Sequence, residues 1–121
     1  MVPGETRNPL TELRRGVLEY CVLAVVRHEE SYAFDIVREL AGAGELVTSE
    51  GTIYPLLSRL RRDRLVTTTW RESDAGPPRR YYRITDEGRR ALDGFRSDWA
   101  RFRDAVDALL AATARGGKDG G

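Results

Sequence analysis

Residues 49–60, SEGTIYPLLSRL, repeat apolar side chains at three- and four-residue intervals, and only a helix with one buried face gathers Ile53, Leu56, Leu57 and Leu60 together. Ser49 stands where an N-cap oxygen can satisfy the first free amides. Pro55 is tolerable because it lies close to that start. Burying the four aliphatics leaves Thr52, Tyr54, Ser58, Arg59 and Arg62 on the other faces. The composition then changes. Residues 65–70, LVTTTW, have the β-branched and aromatic content of a strand, and residues 81–84 supply its return partner across a loop containing Gly76, Pro77 and Pro78. Arg79 and Arg80 fall at the loop end, where long cations reach outward.

A helix followed at once by a basic hairpin predicts a mainly α fold with a small β-hairpin, of the winged helix-turn-helix kind. Two helices are expected before it. The first covers residues 9–27, with Pro9 at its first position and Leu10, Leu13, Val17, Tyr20 or Cys21, and Ala24 on one stripe. The second covers 32–41, capped by Ser31 and ended by Gly42 and Gly44. A last helix is capped by Thr85, and Asp86 and Glu87 suit the positive end of its dipole. Along it Leu92, Phe95, Trp99, Phe102, Val106, Leu109 and Thr113 recur at alternating spacings of three and four, a heptad-like seam. At about 28 residues this helix would measure roughly 42 Å, too long for the small domain before it to cover. Its seam therefore predicts a second copy of the chain as partner, shared with the first helix. The expected organisation is a polar tail over 1–8, a winged helix-turn-helix domain over 9–84, a C-terminal dimerisation helix over 85–114 and a Gly-rich tail over 115–121.

Charge points to the partner of the hairpin. The net charge is only +1, but residues 48–90 carry ten arginines against six acids, whereas residues 1–47 carry five arginines against eight acids. The positive excess thus lies on the proposed reading unit, as attraction to phosphate requires. Nineteen of the twenty basic residues are arginine, which suits bidentate contacts to phosphate or guanine and equally follows from a GC-rich genome. Short hydroxyls at a helix start suit the major groove, so Ser49, Thr52, Tyr54, Pro55, Ser58, Arg59, Arg62, Arg79, Arg80 and Tyr82 form the expected DNA-binding set.

These residues resemble the PadR family of bacterial transcriptional regulators. The resemblance rests on Gly51, Thr52, Ile53, Tyr54, Pro55, Leu56, Leu57, Arg59 and Leu60 and, in the wing, on Gly76, Pro77, Arg79, Arg80, Tyr81, Tyr82, Ile84, Thr85 and Gly88. It spans about residues 13–110 and depends on two separated motifs. Ala33 and Arg64 depart from it: most of the family carries Gly at both places, and at Arg64 a glycine would supply the left-handed cap after the reading helix. The resemblance implies dimerisation through the C-terminal helix, consistent with the spacing above. The expected interface is Leu13, Val17, Leu92, Phe95, Trp99, Phe102, Val106 and Leu109. Some relatives use a tryptophan of that helix to hold a flat ligand, which makes Trp99, Phe95 and Phe102 candidates for a planar aromatic effector.

Other chemistries find little support. One His and one Cys do not furnish a metal centre or a nucleophilic triad, and His28 beside Glu29 and Glu30 reads as a surface histidine. No catalytic residue, metal or cofactor is expected. Cys21 cannot form an internal disulfide, and the longest apolar run, 20–26, is too short to span a bilayer, so a cytoplasmic protein is expected. Two functions compete. The first is a dimeric DNA-binding regulator, a repressor released from a pseudo-palindromic operator by a small molecule. The second is a ligand-binding dimer with an aromatic interface pocket and a secondary or absent DNA role.

Overall fold

Four helices and three strands follow one another in the computed structural model, which describes residues 9–44, 46 and 49–119. Their order is α1 (Pro9–His28), β1 (Ser31–Tyr32), α2 (Ala33–Ala41), α3 (Glu50–Arg62), β2 (Val66–Ser73), β3 (Gly76–Ile84) and α4 (Asp86–Asp119). The mainly α class with a hairpin wing matches the sequence expectation. The tail assigned to residues 1–8 lies outside the described residues. The tail assigned to 115–121 is corrected, because α4 continues to Asp119 and runs for 34 residues, about 51 Å at the helical rise.

One core joins all four helices to the sheet. Ile53, Leu56, Leu57 and Leu60 of α3 are buried as their spacing predicted, against Ile36 and Leu40 of α2, Val66, Tyr82 and Ile84 of the sheet, and Leu92 of α4. Each such aliphatic contributes on the order of 1.5–3 kcal/mol by leaving water. In α1 the buried set is Leu18, Val22, Leu23 and Val26, not the expected stripe. Leu13 and Ala24 are exposed and Val17, Tyr20 and Cys21 half-buried, while the side chain of Leu10 lies outside the description. The helix is apolar on two sides: one packs inward on the reading unit, the other turns to α4.

The sheet has the order β1-β3-β2, all antiparallel. Strand β1 was not foreseen. Ser31, expected to cap α2, pairs instead with Tyr82, and its hydroxyl donates to the Glu29 carbonyl at 2.9 Å; Tyr32 occupies the N-cap position. The hairpin loop is also shorter than expected. Ser73 pairs with Gly76, leaving only Asp74 and Ala75 in the turn, and Pro77 and Pro78 belong to β3. They lie beside a break in the ladder between Arg71 and Ser73, where residues without an N–H are tolerated.

The exit from α3 is closed by backbone alone. Leu65 N–H donates to the Leu60 carbonyl at 2.9 Å and Arg64 N–H to the Arg61 carbonyl at 3.0 Å, the paired bonds of a Schellman cap. Arg64 adopts φ 63° where glycine would be easiest. The turn expected from glycine is thus present without it, at the steric cost of a left-handed side-chain-bearing residue. The same turn receives α4. Thr85 N–H donates to the Leu65 carbonyl at 3.0 Å, its hydroxyl donates to the Arg64 carbonyl at 2.7 Å, and its Oγ1 accepts the Gly88 N–H at 2.9 Å. A Cβ at Gly88 would run into the Leu65 carbonyl oxygen and come within 2.7 Å of Ile84 Cγ1.

Two substitutions test this junction by thermal unfolding. Gly88→Ala should destabilise by about 1–3 kcal/mol, because the obstructing atom is backbone and cannot swing aside. Arg64→Gly should stabilise by up to about 1 kcal/mol, and Arg64→Val should lower Tm.

Candidate nucleic-acid interface

Helix α3 presents its polar side chains on the side opposite its buried stripe. Gly51, Pro55, Ser58 and Arg62 fall on one outward line at spacings of four, three and four, with Tyr54 and Arg61 on one flank and Thr52 and Arg59 on the other. All eight are exposed. Ser49 is the N-cap, but its hydroxyl lies 3.4 Å from Thr52 Oγ1 and bonds no backbone amide; its carbonyl accepts from Thr52 and Ile53 N–H at 3.1 and 3.0 Å. Both hydroxyls therefore remain at the surface. Gly51 is not required by packing, since a Cβ there would meet only Ser49 Oγ at 3.7 Å. Arg59 leans toward α1 and pairs with Glu19 at 3.3 Å, and Arg62, the cation on the central line, pairs with Asp63 at 3.5 Å. Glu50, a residue outside the expected set, acts on Tyr54: desolvation, and then the charge and hydrogen bond of the Glu50 carboxylate, hold the phenol above its ordinary pKa.

The wing separates residues that the sequence reading kept together. Directly opposed residues of an antiparallel pair share a face, so Val66 with Ile84, Thr68 with Tyr82 and Trp70 with Arg80 lie on the side facing the core. Thr67 with Arg83, Thr69 with Tyr81 and Arg71 with Arg79 lie on the outer side. Tyr82 is only 6% exposed, which corrects its assignment: it is a core residue. Arg79 and Arg80, adjacent in sequence, point to opposite sides of the hairpin. Arg80 continues the core-side face past the helices, its guanidinium carbon 4.9 Å from the centre of the exposed Trp70 ring. Its Nε is buried without a hydrogen-bond partner among the described residues. The Trp70–Arg80 stack was not among the expected contacts, although strict alternation from Tyr82 back to Arg80 would have placed it.

A second region lies between α1 and α4. Tyr20 stacks on Phe95 with ring centres 4.1 Å apart and planes 3° from parallel, and Arg27 donates to Asp93 at 2.6 Å, holding that carboxyl below its ordinary pKa. Phe95, Trp99 and Phe102 follow one another along α4 with ring centres 6.0 and 6.1 Å apart. They line a hollow of about 390 Å³ with Leu13, Gly16, Val17 and Asp98; a neighbouring one of about 610 Å³ is bounded by Tyr20, Cys21, Leu92 and Phe95 under the rims of Arg27 and Arg96. Burial raises the Cys21 thiol pKa. Of the eight residues expected at a subunit interface, Leu92 belongs to the chain's own core, and Val17, Phe95 and Trp99 are half-buried. Leu13, Phe102, Val106 and Leu109 are exposed, as is Leu110. Among the described residues no helix is long and apolar enough to cross a membrane, and no group of three His, Cys, Asp or Glu could hold a metal ion.

Comparison with known proteins agrees with this geometry. Residues 22–94 match the transcriptional regulator PadR-like family. A transcriptional regulator of Mycobacterium tuberculosis is 36% identical over 83 residues, covering 69% of this chain and 76% of its own. The crystal structure of a PadR-like transcriptional regulator from Bacillus cereus superposes with a TM-score of 0.75 at 38% identity, covering 82% of this chain and 96% of that one. A PadR family regulator from Eggerthella lenta gives 0.75 at 39% identity, over 83% and 87% of the two chains.

The Glu50–Tyr54 pairing has a spectroscopic consequence. In Glu50→Gln, Tyr54 should titrate at lower pH than in the wild type, because the nearby negative charge that opposes phenolate is gone while the desolvation remains. Ring carbon shifts of labelled tyrosines, followed against pH, report it.

Proposed function

The chain belongs to the PadR-like family of transcriptional regulators, and from that premise we propose that it is a DNA-binding repressor acting as a homodimer. In this reading residues 9–84 are the reading head and 85–114 the dimerisation helix. The observation that carries it is the outward line of α3, Gly51, Pro55, Ser58 and Arg62, flanked by Thr52 and Tyr54. A helix start with small residues on its outermost line can approach base edges closely, and the Trp70–Arg80 stack on the wing adds a cation for the neighbouring phosphates. In this reading the wing meets the duplex through Arg80, since Arg79 occupies the other face of the wing. No catalytic role is assigned to any residue.

Dimerisation is supported by the distal half of α4. Every residue from 101 to 114 is exposed, including Phe102, Leu109 and Leu110, and a second copy laid along the groove between α1 and α4 would cover that apolar row. Two-fold symmetry would then set two half-sites roughly 34 Å apart or a multiple of it. The aromatic row and its hollow support a further element of the reading, a planar aromatic effector held by Trp99, Phe95 and Phe102 that releases the operator. The same row supports the second reading, a ligand-binding dimer with little or no role on DNA.

Footprinting of the DNA upstream of the gene decides between them. The regulator reading requires a protected, two-fold symmetric site, and fails if affinity for that DNA equals affinity for random duplex at physiological salt. Gly51→Ala should leave the fold intact or stabilise it by about 0.5–1 kcal/mol, since Ala is the better helix former, while weakening operator binding. Arg80→Ala should weaken binding to every duplex and reduce the salt slope by about one.

Phe102→Asp should abolish dimers in sedimentation at micromolar concentration and, with them, operator binding, because a charge buried without a partner costs several kcal/mol. Titration of a Trp70→Phe variant with planar aromatics reads Trp99 alone. Compounds that quench Trp99 should release operator DNA, and quenching without release would remove the effector from the proposal.

A further inference from the structure

The outer face of the wing sheet carries a run of cations and rings that neither the core nor the proposed reading of DNA uses. Arg79 places its guanidinium carbon 4.5 Å from the centre of the Tyr32 ring, and Arg71 places its own 4.7 Å from that of Tyr81. The two tyrosines meet at 5.5 Å, and Phe34 extends the row from Tyr32 at 6.2 Å, with Arg38 5.8 Å from its ring centre. These residues come from α2, β1, β2 and β3, so the row is a product of the fold. Phe34 is 48% exposed.

Two features of the row show what it accepts. Arg71 and Arg79 are directly opposite each other in the hairpin register, and like charges in that position destabilise a sheet. A carboxylate offsets the cost on one side only: Glu30 forms an ion pair with Arg71. Arg79 has a ring beneath it but no ion pair with a carboxylate among the described residues. Glu30 thus serves as an internal example of the group the face receives, a carboxylate set against a ring-backed guanidinium. A guanidinium lying flat on an aromatic ring keeps its N–H edge free for two oxygens.

We propose that this face docks an acidic peptide segment of another protein, with a Glu or Asp of that segment on Arg79 and an apolar neighbour against Tyr32 and Phe34. The alternation of carboxylate and apolar contact follows from the alternation of guanidinium and ring on the surface. A protein partner suits the position better than the duplex. The face is on the far side of the sheet from α3 and from the Trp70–Arg80 stack, so a partner there would leave the reading helix free.

The test uses the full chain and a fluorescein-labelled peptide of about a dozen residues in which Glu and Asp alternate with Leu and Phe, together with its Gln/Asn counterpart. Anisotropy should show binding of the acidic peptide alone, and amide shifts in 15N-labelled protein should map to residues 32–38 and 79–83. Arg79→Ala combined with Phe34→Ala should weaken the peptide by about tenfold or more, equivalent to about 1.4 kcal/mol. Arg79→Lys, which keeps the charge and loses the fork, should give an intermediate loss. Both variants should keep wild-type circular dichroism and bind a random duplex within about twofold of wild type. Three results would overturn the proposal: no binding of the acidic peptide at millimolar concentration, equal binding by wild type and the double variant, or a comparable loss of duplex DNA by that variant. The last would make the face a phosphate-binding surface.

Discussion

Two consecutive carbonyl groups, those of Arg64 and Leu65, fix how the two halves of this protein meet. They belong to the turn that ends the outward-facing helix, and both are claimed by Thr85, the residue that begins the long C-terminal helix. Thr85 contributes its N–H and its hydroxyl proton to the turn and still uses its oxygen to cap α4. Because hydrogen bonds are short and directional, the end of one helix and the start of the other cannot shift independently. The missing Cβ at Gly88 permits this approach, and the left-handed Arg64 supplies the turn that aims both carbonyls. Hydrophobic burial holds the four helices together in a general way; this junction gives them one angle.

What the sequence disclosed follows the length of each pattern. Helix α3 was legible because four aliphatics at regular spacing have a single helical solution, and all four are buried. The start of α4 was legible because Thr85, Asp86 and Glu87 form a local signal whose physics needs no partner. Strand β1 carries only Ser31 and Tyr32, too few residues to show a period, so Ser31 was read by its capping chemistry alone. In α1 the apolar residues occupy two sides, so a single stripe captures the side facing α4 and leaves out Leu18, Val22, Leu23 and Val26. Pro77 and Pro78 suggested a loop, whereas the ladder absorbs them at an irregularity.

Within the candidate site the exposed residues of α3 were legible for the same reason as its core, being the complement of the buried stripe. The wing was less so. Arg79 and Arg80 look equivalent in one dimension and become opposites once a pleated strand alternates them. Tyr82, chosen as a polar aromatic in a basic stretch, is drawn inward by the same alternation. The rings that carry the arginines, Tyr32, Tyr81 and Trp70, come from separated segments, so their stacking depends on strand register rather than on any local motif.

Helix α4 leaves this junction without slack and extends about 51 Å, and that makes it a lever. A tilt of about 10° at its root would carry the far end through roughly 9 Å, the width of a packed helix. In the proposed dimer, a repacking of only a few ångströms where two such arms cross would become a small rotation of each head. In that dimer the same stiffness would make the spacing of the two heads insensitive to motion of the hairpin tip, because the end of α3 and the start of α4 are tied directly through the carbonyls that Thr85 clasps, while β2 and β3 branch off between them.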